Sequence, residues 1–252
     1  MLSFIGVALK FIILLGFLIF IHEGGHFLVA KLCKVKVNEF AIGFGPTIWN
    51  KQGKETKYAL RLIPLGGFVS MEGEEEASEQ EGSFSKASIP KRLAIVFAGP
   101  IVNIVFAIVV FFIVRVIVGL TSAYDLGLSI KYAGESLGAF ISEAFNSLVN
   151  LFTGKTGIDQ MVGPVGIGGI VASTTGFLSF VNLMAIISFS LGITNLLPIP
   201  ALDGGKILLL IIEAIRRKPL SQKVEAAIQI AGFVFVIGLA VLVTYNDIAR
   251  LL

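Results

Sequence analysis

Apolar positions fall into four runs long enough to cross a bilayer, at residues 4–32, 93–120, 177–197 and 226–243. At 1.5 Å per helical residue, about 20 such residues traverse roughly 30 Å of hydrocarbon. The second and fourth runs read as uninterrupted. The first contains His22, Glu23 and His26, and the third runs into Asn195, Pro198, Pro200 and Asp203. Between the first two runs, residues 37–49 and 58–69 are rich in β-branched and aromatic side chains and are joined by the polar stretch 50–54, which predicts a β-hairpin. So apolar a hairpin suits either of two placements. It lies on the cytoplasmic surface, or it dips toward the bilayer with its backbone shielded by protein or facing a wet cavity. The acidic stretch 72–81 reads as solvated and mobile. Beyond the second run, Ile141, Ala144, Phe145, Leu148, Val149 and Phe152 recur at helical spacing among polar residues, the pattern of an amphipathic helix lying in the interface. The expected fold is an α-helical polytopic membrane protein, a single domain over 1–252. It has four transmembrane helices, a membrane-associated hairpin at 37–69 and a short outer loop at 121–176 carrying the amphipathic helix.

Composition narrows the class further. Hydrophobic residues make up 55% of the chain, charged residues 15%, and the mean hydropathy is +0.89, which excludes a disordered chain and argues against a soluble domain. A net charge of +3 gives no footing for nucleic acid, and the lone Cys33 allows neither an internal disulfide nor a thiolate cluster. Nucleotide binding is not supported: the Gly-rich run 163–169 lacks phosphate-loop spacing, and Gly154-Lys155-Thr156 has Val149 where such a loop needs Gly. The amino-terminal run is too long for a signal peptide and no small-residue cleavage site follows it. Lys31, Lys34, Lys36, Lys86, Lys91, Arg92, Arg216, Arg217, Lys218 and Lys223 flank the spans on what should be the cytoplasmic side, whereas the 121–176 loop holds only Lys131 and Lys155. Both termini should then lie outside, in a bacterial inner membrane.

The chemistry concentrates in His22-Glu23-Gly24-Gly25-His26. Two histidines four apart on a helix face the same way and can hold one zinc ion, with the intervening Glu reaching its bound water. Ionisable groups inside a span cost about 2.5–3.5 kcal/mol each and are by default functional. The bland alternative is hydrogen bonding between helices for the histidines and a neutral or His-paired carboxyl for Glu23. A catalytic zinc takes three protein ligands, and no third His exists, so a carboxylate is needed. Glu213 and Asp247 sit near the ends of apolar segments, where they can reach the interface. Asp203, following Asn195-Leu196-Leu197-Pro198-Ile199-Pro200-Ala201-Leu202, is the best candidate, and a helix N-cap is its bland alternative. Pro198 and Pro200 should break the third span into an extended strand whose free backbone groups offer a docking edge. Asn195 is expected either to bind a substrate carbonyl or to satisfy the broken backbone locally.

These residues resemble the site-2 protease family of intramembrane zinc metalloproteases, particularly the bacterial enzymes that cut anti-sigma factors. The resemblance rests on HEGGH at 22–26, GFGP at 43–46, RLIPLGGFV at 61–69, AGPIVN at 98–103, GPVGI at 163–167 and NLLPIPALDGG at 195–205. It implies that His22, His26 and Asp203 bind Zn2+, that Glu23 is the catalytic base, and that the hairpin is re-entrant and guides substrate. It also implies that Asn195, Pro198 and Pro200 position the unwound substrate. Substrates would be type II single-span proteins such as anti-sigma factors, or remnant signal peptides, cut toward the cytoplasmic side. Similar members usually carry one or two PDZ domains after the second span. The connection at 121–128 is far too short for one, so this is either a member without PDZ or a chain from which it was excised. Rival functions are a metal-ion transporter using the same ligands and a non-catalytic membrane scaffold.

Overall fold

The computed structural model describes residues 2–250 apart from 75, 77, 156 and 158–160. Among them are seven α-helices and two β-strands, in the order α1 (Leu2–Leu32), β1 (Val37–Gln52), β2 (Lys57–Met71), α2 (Ile89–Thr121), α3 (Leu126–Phe152), α4 (Pro164–Ser173), α5 (Phe177–Asn195), α6 (Asp203–Arg216) and α7 (Gln222–Ala249). Four helices are long and apolar enough to cross a membrane: Ile5–Leu32, Ile89–Thr121, Phe177–Asn195 and Gln222–Ala249. Each presents large apolar side chains outward, among them Leu9, Val105, Phe177 and Val241. In water such surface would be a liability, but in lipid it is the solvated face.

The chain divides into two compact units, one of residues 9–103 and 191–236, the other of 1–8, 104–190 and 237–252. The first holds the sheet. Each of β1 and β2 bends back, so that 39–42 have partners on both sides: Glu39 faces Ser70 and Lys57, Phe40 faces Val69 and Tyr58, Ala41 faces Phe68 and Ala59, and Ile42 faces Gly67 and Leu60. Residues 57–60 are paired in turn with 49–52, which leaves 67–71 with one ladder partner only. Glycines make the bends. Gly43, Gly45 and Gly66 have φ of +89°, +82° and +111°, and a Cβ on Gly43 would lie 2.6 Å from the Ile63 carbonyl oxygen. The hairpin turn falls later than the polar stretch 50–54 suggested, with Gly53 N–H donating to Thr56 O at 2.9 Å. Beneath the sheet, Ala30 of α1, Val37, Phe40, Val69 and Met71 of the strands, Ile95 and Val96 of α2, and Ile207 and Leu210 of α6 form one buried apolar cluster. That cluster is the platform on which the polar site stands.

Two ion pairs pin the same unit: Arg92 to Glu213, and Lys206 to Glu74. The start of the acidic stretch is therefore held at Glu74, whereas Glu76, Glu79 and Glu81 are exposed to solvent as expected. Asn38 Nδ2 also donates to Glu72 at 3.0 Å, while Glu75 and Ala77 lie outside the described residues. Glu213 is paired rather than free, the Arg92 guanidinium donating to both its oxygens.

In the other unit the amphipathic helix is longer than its pattern suggested. α3 begins at Leu126, where Asp125 caps it by accepting from Leu128 N–H at 2.7 Å. Phe111 of α2 stacks on Phe140 of α3, which meets Phe189 of α5 edge-on. Asp247, also expected near the interface, is 4% exposed. Its carboxylate accepts from Gly163 N–H (3.2 Å) and Gly166 N–H (2.8 Å), capping α4 from another helix. The glycines of the 163–167 motif are needed for that approach, since a Cβ on Gly163 would stand 2.7 Å from Asp247 Oδ2.

Candidate metal centre

Every element of the site belongs to the unit of residues 9–103 and 191–236. One turn of α1 separates His22 from His26, so both imidazoles leave the helix on one side. Their Nε2 atoms lie 3.3 Å apart, and Asp203 Oδ2 is 3.1 Å from the first and 3.5 Å from the second. Both histidines are 8% exposed. Asp203 opens α6, with Leu202 at the N-cap position, so its side chain is not spent on capping and turns to the histidines instead.

The ring positions are fixed from α2. His26 Nδ1–H donates to the Ile95 carbonyl at 2.8 Å, which leaves the Nε2 lone pair facing Asp203. Pro100 removes the N–H that would bond the Val96 carbonyl, loosening the helix at the turn beside this contact. Close approach is possible because small residues meet: a Cβ on Gly25 would be 2.6 Å from the Ala98 carbonyl oxygen, and one on Gly99 would be 2.3 Å from His26 Nε2. His22 Nδ1 lies 3.3 Å from the fully buried Asn103 amide. That contact is made by the amide's Nδ2, and it fixes the orientation of the His22 ring.

Three potential ligand atoms converge here, two imidazole nitrogens and a carboxylate oxygen. Donors at about 2.0–2.1 Å from one tetrahedral ion stand about 3.3–3.4 Å apart, and the spacings of 3.1, 3.3 and 3.5 Å bracket that edge. The residues fit zinc. Glu23 lines the same cavity of about 270 Å³, its Cγ so close to the Gly67 backbone of β2 that a Cβ there would be 3.0 Å away.

Asn195 lines the cavity as well, while its Nδ2 donates to Leu191 O at 3.1 Å, the local role foreseen as its alternative. Pro198 and Pro200 do not line it. The expected extended strand at this break is instead a series of turns over 196–202, with Ile199 N–H donating to Leu197 O at 2.7 Å and Leu202 N–H to Ile199 O at 3.1 Å. Glycines let the turns close: a Cβ on Gly204 would be 2.1 Å from Leu197 O, and one on Gly232 would be 2.3 Å from Pro200 Cβ. The free edge that does border the cavity is the 67–71 segment, through Gly67, Phe68, Val69 and Met71. Sequence reasoning missed Asn103, although it is a lone amide within an otherwise apolar run and closes the AGPIVN motif.

A helical membrane protein with His, His and a carboxylate converging beside a glutamate is the architecture of a membrane metallopeptidase. The sequence profile of peptidase family M50 matches residues 10–239, and the chain belongs to that family, the site-2 proteases. It is similar to a protein of Clostridium acetobutylicum that carries a zinc-metalloprotease name, 31% identical over 98% of each chain. It is also similar to the regulator of sigma-W protease RasP of Bacillus subtilis, 26% identical over 98% of this chain and 99% of that one. The alignments run over 333 and 419 positions, more than this chain's 252 residues, so both relatives carry segments with no counterpart here. Membership makes the chain a zinc-dependent metalloprotease with several membrane-crossing helices.

Proposed function

We propose that this chain is an intramembrane protease that hydrolyses peptide bonds in or beside the transmembrane segment of single-span membrane proteins, with His22, His26 and Asp203 holding zinc and Glu23 as the base. The observation that carries the reading is the convergence of three potential ligand atoms at tetrahedral-edge spacing within reach of Glu23. Bound zinc supplies Lewis-acid polarisation of the scissile carbonyl and acidifies the attacking water. Glu23 takes that water's proton and delivers it to the departing amine nitrogen, so no covalent bond forms between protein and substrate. Ile95 O holds the His26 ring in the tautomer the chemistry needs, and Asn103 orients the His22 ring.

A helical substrate hides its carbonyls and must unwind to be cut. The edge of 67–71 offers backbone N–H and C=O groups to an extended segment, and that pairing offsets part of the unwinding cost. Asn195 stands where it can hydrogen-bond a substrate carbonyl once released from Leu191. Phe44, Ile48, Trp49, Leu62 and Ile63 are exposed along the hairpin, which favours its dipping toward lipid over its lying in water. Anti-sigma-factor-like type II proteins and remnant signal peptides are the substrate classes, and the sigma-W regulator among the relatives supports the first. The setting is a bacterial inner membrane, with both termini outside and cleavage toward the cytoplasmic side. The test is incubation of detergent-purified protein with a set of single-span peptides, comparing wild type with Glu23→Gln. Wild type is expected to cut, the variant to retain zinc and cut nothing; cleavage by the variant would refute the role of Glu23.

A further inference from the structure

Arg115 is a charge inside the apolar run of α2, about 9 Å along the helix axis from its end at Thr121. A snorkelling arginine reaches for the nearest interface. This one does the opposite: its guanidinium lies over the Phe111 ring, 4.7 Å from the centroid, one turn back toward the middle of the helix. No described acidic group pairs with it, and its Nε is buried without a hydrogen-bond partner. Asn182 of α5, whose Oδ1 is likewise buried and without a partner, lines the same cavity of about 410 Å³. The cavity lies within the unit of 1–8, 104–190 and 237–252. Leu178 and Ser179, from the first turn of α5, open onto it, and that turn contains no acidic residue. The dipole of that helix end adds positive potential to that of Arg115. Thr175 and Ser179 contribute hydroxyls, while Val118 and Leu178 make part of the wall apolar.

We infer that this cavity binds the phosphate of an anionic phospholipid, with Arg115 paired to the phosphate, Asn182 to the headgroup's polar substituent, and the acyl chain along the apolar wall. An unpaired cation at membrane depth is costly, and a phosphodiester meets both the guanidinium and the helix end. The half-apolar lining favours a lipid over a free anion.

The test uses the full chain in nanodiscs of equal phosphatidylglycerol and phosphatidylcholine, released and weighed by native mass spectrometry with and without excess inorganic phosphate. Wild type is expected to retain one phosphatidylglycerol in preference to phosphatidylcholine. Arg115→Gln should retain it about tenfold less, the loss of one charged hydrogen-bonded pair, and Asn182→Ala about threefold less. Lys131→Gln, which removes a cation whose side chain is 70% exposed on α3, should change nothing. Asn182→Ala keeps the charge and the Phe111 contact, so it reads the site even if Arg115→Gln folds poorly. Equal retention by the Arg115 and Asn182 variants, or equal retention of both lipids, would overturn the proposal. Displacement of the lipid by inorganic phosphate would assign the cavity to a free anion and overturn it as well.

Discussion

Asp203 and Asp247 are both carboxylates among apolar helices, and they are solved in opposite ways. Asp247 meets two backbone N–H donors, so its charge is neutralised by partners that belong to the fold. Asp203 faces two imidazole nitrogens whose other sides are already committed to Ile95 and Asn103. A carboxylate answered by donors is a fastener. One grouped with two imidazole nitrogens at tetrahedral-edge spacing is a ligand, and that convergence is the structural mark of the metal centre.

Four substitutions sharpen that contrast. The largest effect belongs to Asp203→Ala, which should leave the purified protein unable to retain zinc through dialysis and bring cleavage to background, as metal analysis beside a peptide assay would show. Asn103→Leu removes the group that orients His22 and should weaken zinc binding about 10–100-fold in a chelator competition. Asp247→Ala should do the reverse: thermal unfolding in detergent is expected to report a loss of about 1–3 kcal/mol for the abandoned N–H groups, with zinc content unchanged. The smallest effect lies in the sheet. Burial pushes the Glu39 carboxyl up, but Arg61 at 2.7 Å and Lys57 at 3.4 Å outweigh it and hold the group below its ordinary value of 4.5. Such a group contributes stability that is present above 4.5 and is lost as pH falls through its lowered value. The stability difference between wild type and Glu39→Gln should therefore be constant at neutral pH and shrink on acidification below about 4.5; a difference that grew instead would contradict the pairing.

Much of this was legible along the chain. Long apolar runs gave the four spanning helices because lipid leaves the backbone few other options, and the polar exceptions in the first and third runs pointed to the residues that now stand within 3.5 Å of one another. The features that escaped depend on distant partners. α4 sits in a Gly-rich run with little helical pattern and owes its N-terminal cap to Asp247, more than 80 positions away. The double pairing of 39–42 depends on bends at Gly43 and Gly66, which a period-two pattern does not encode. Pro198 and Pro200 were read as extending the chain, yet Gly204, Gly205 and Gly232 allow it to fold into turns instead. Asn103 and Arg115 were overlooked because one amide and one guanidinium barely alter the hydropathy of a 33-residue helix.

The most direct test is zinc K-edge X-ray absorption on the purified Glu23→Gln variant, which keeps the metal without turning over substrate. A first shell of nitrogen and oxygen with the scattering of two imidazoles, and no bound zinc left to measure in Asp203→Ala, is the expected result. A sulfur ligand, a single imidazole, or a spectrum indifferent to residue 203 would contradict the centre described here.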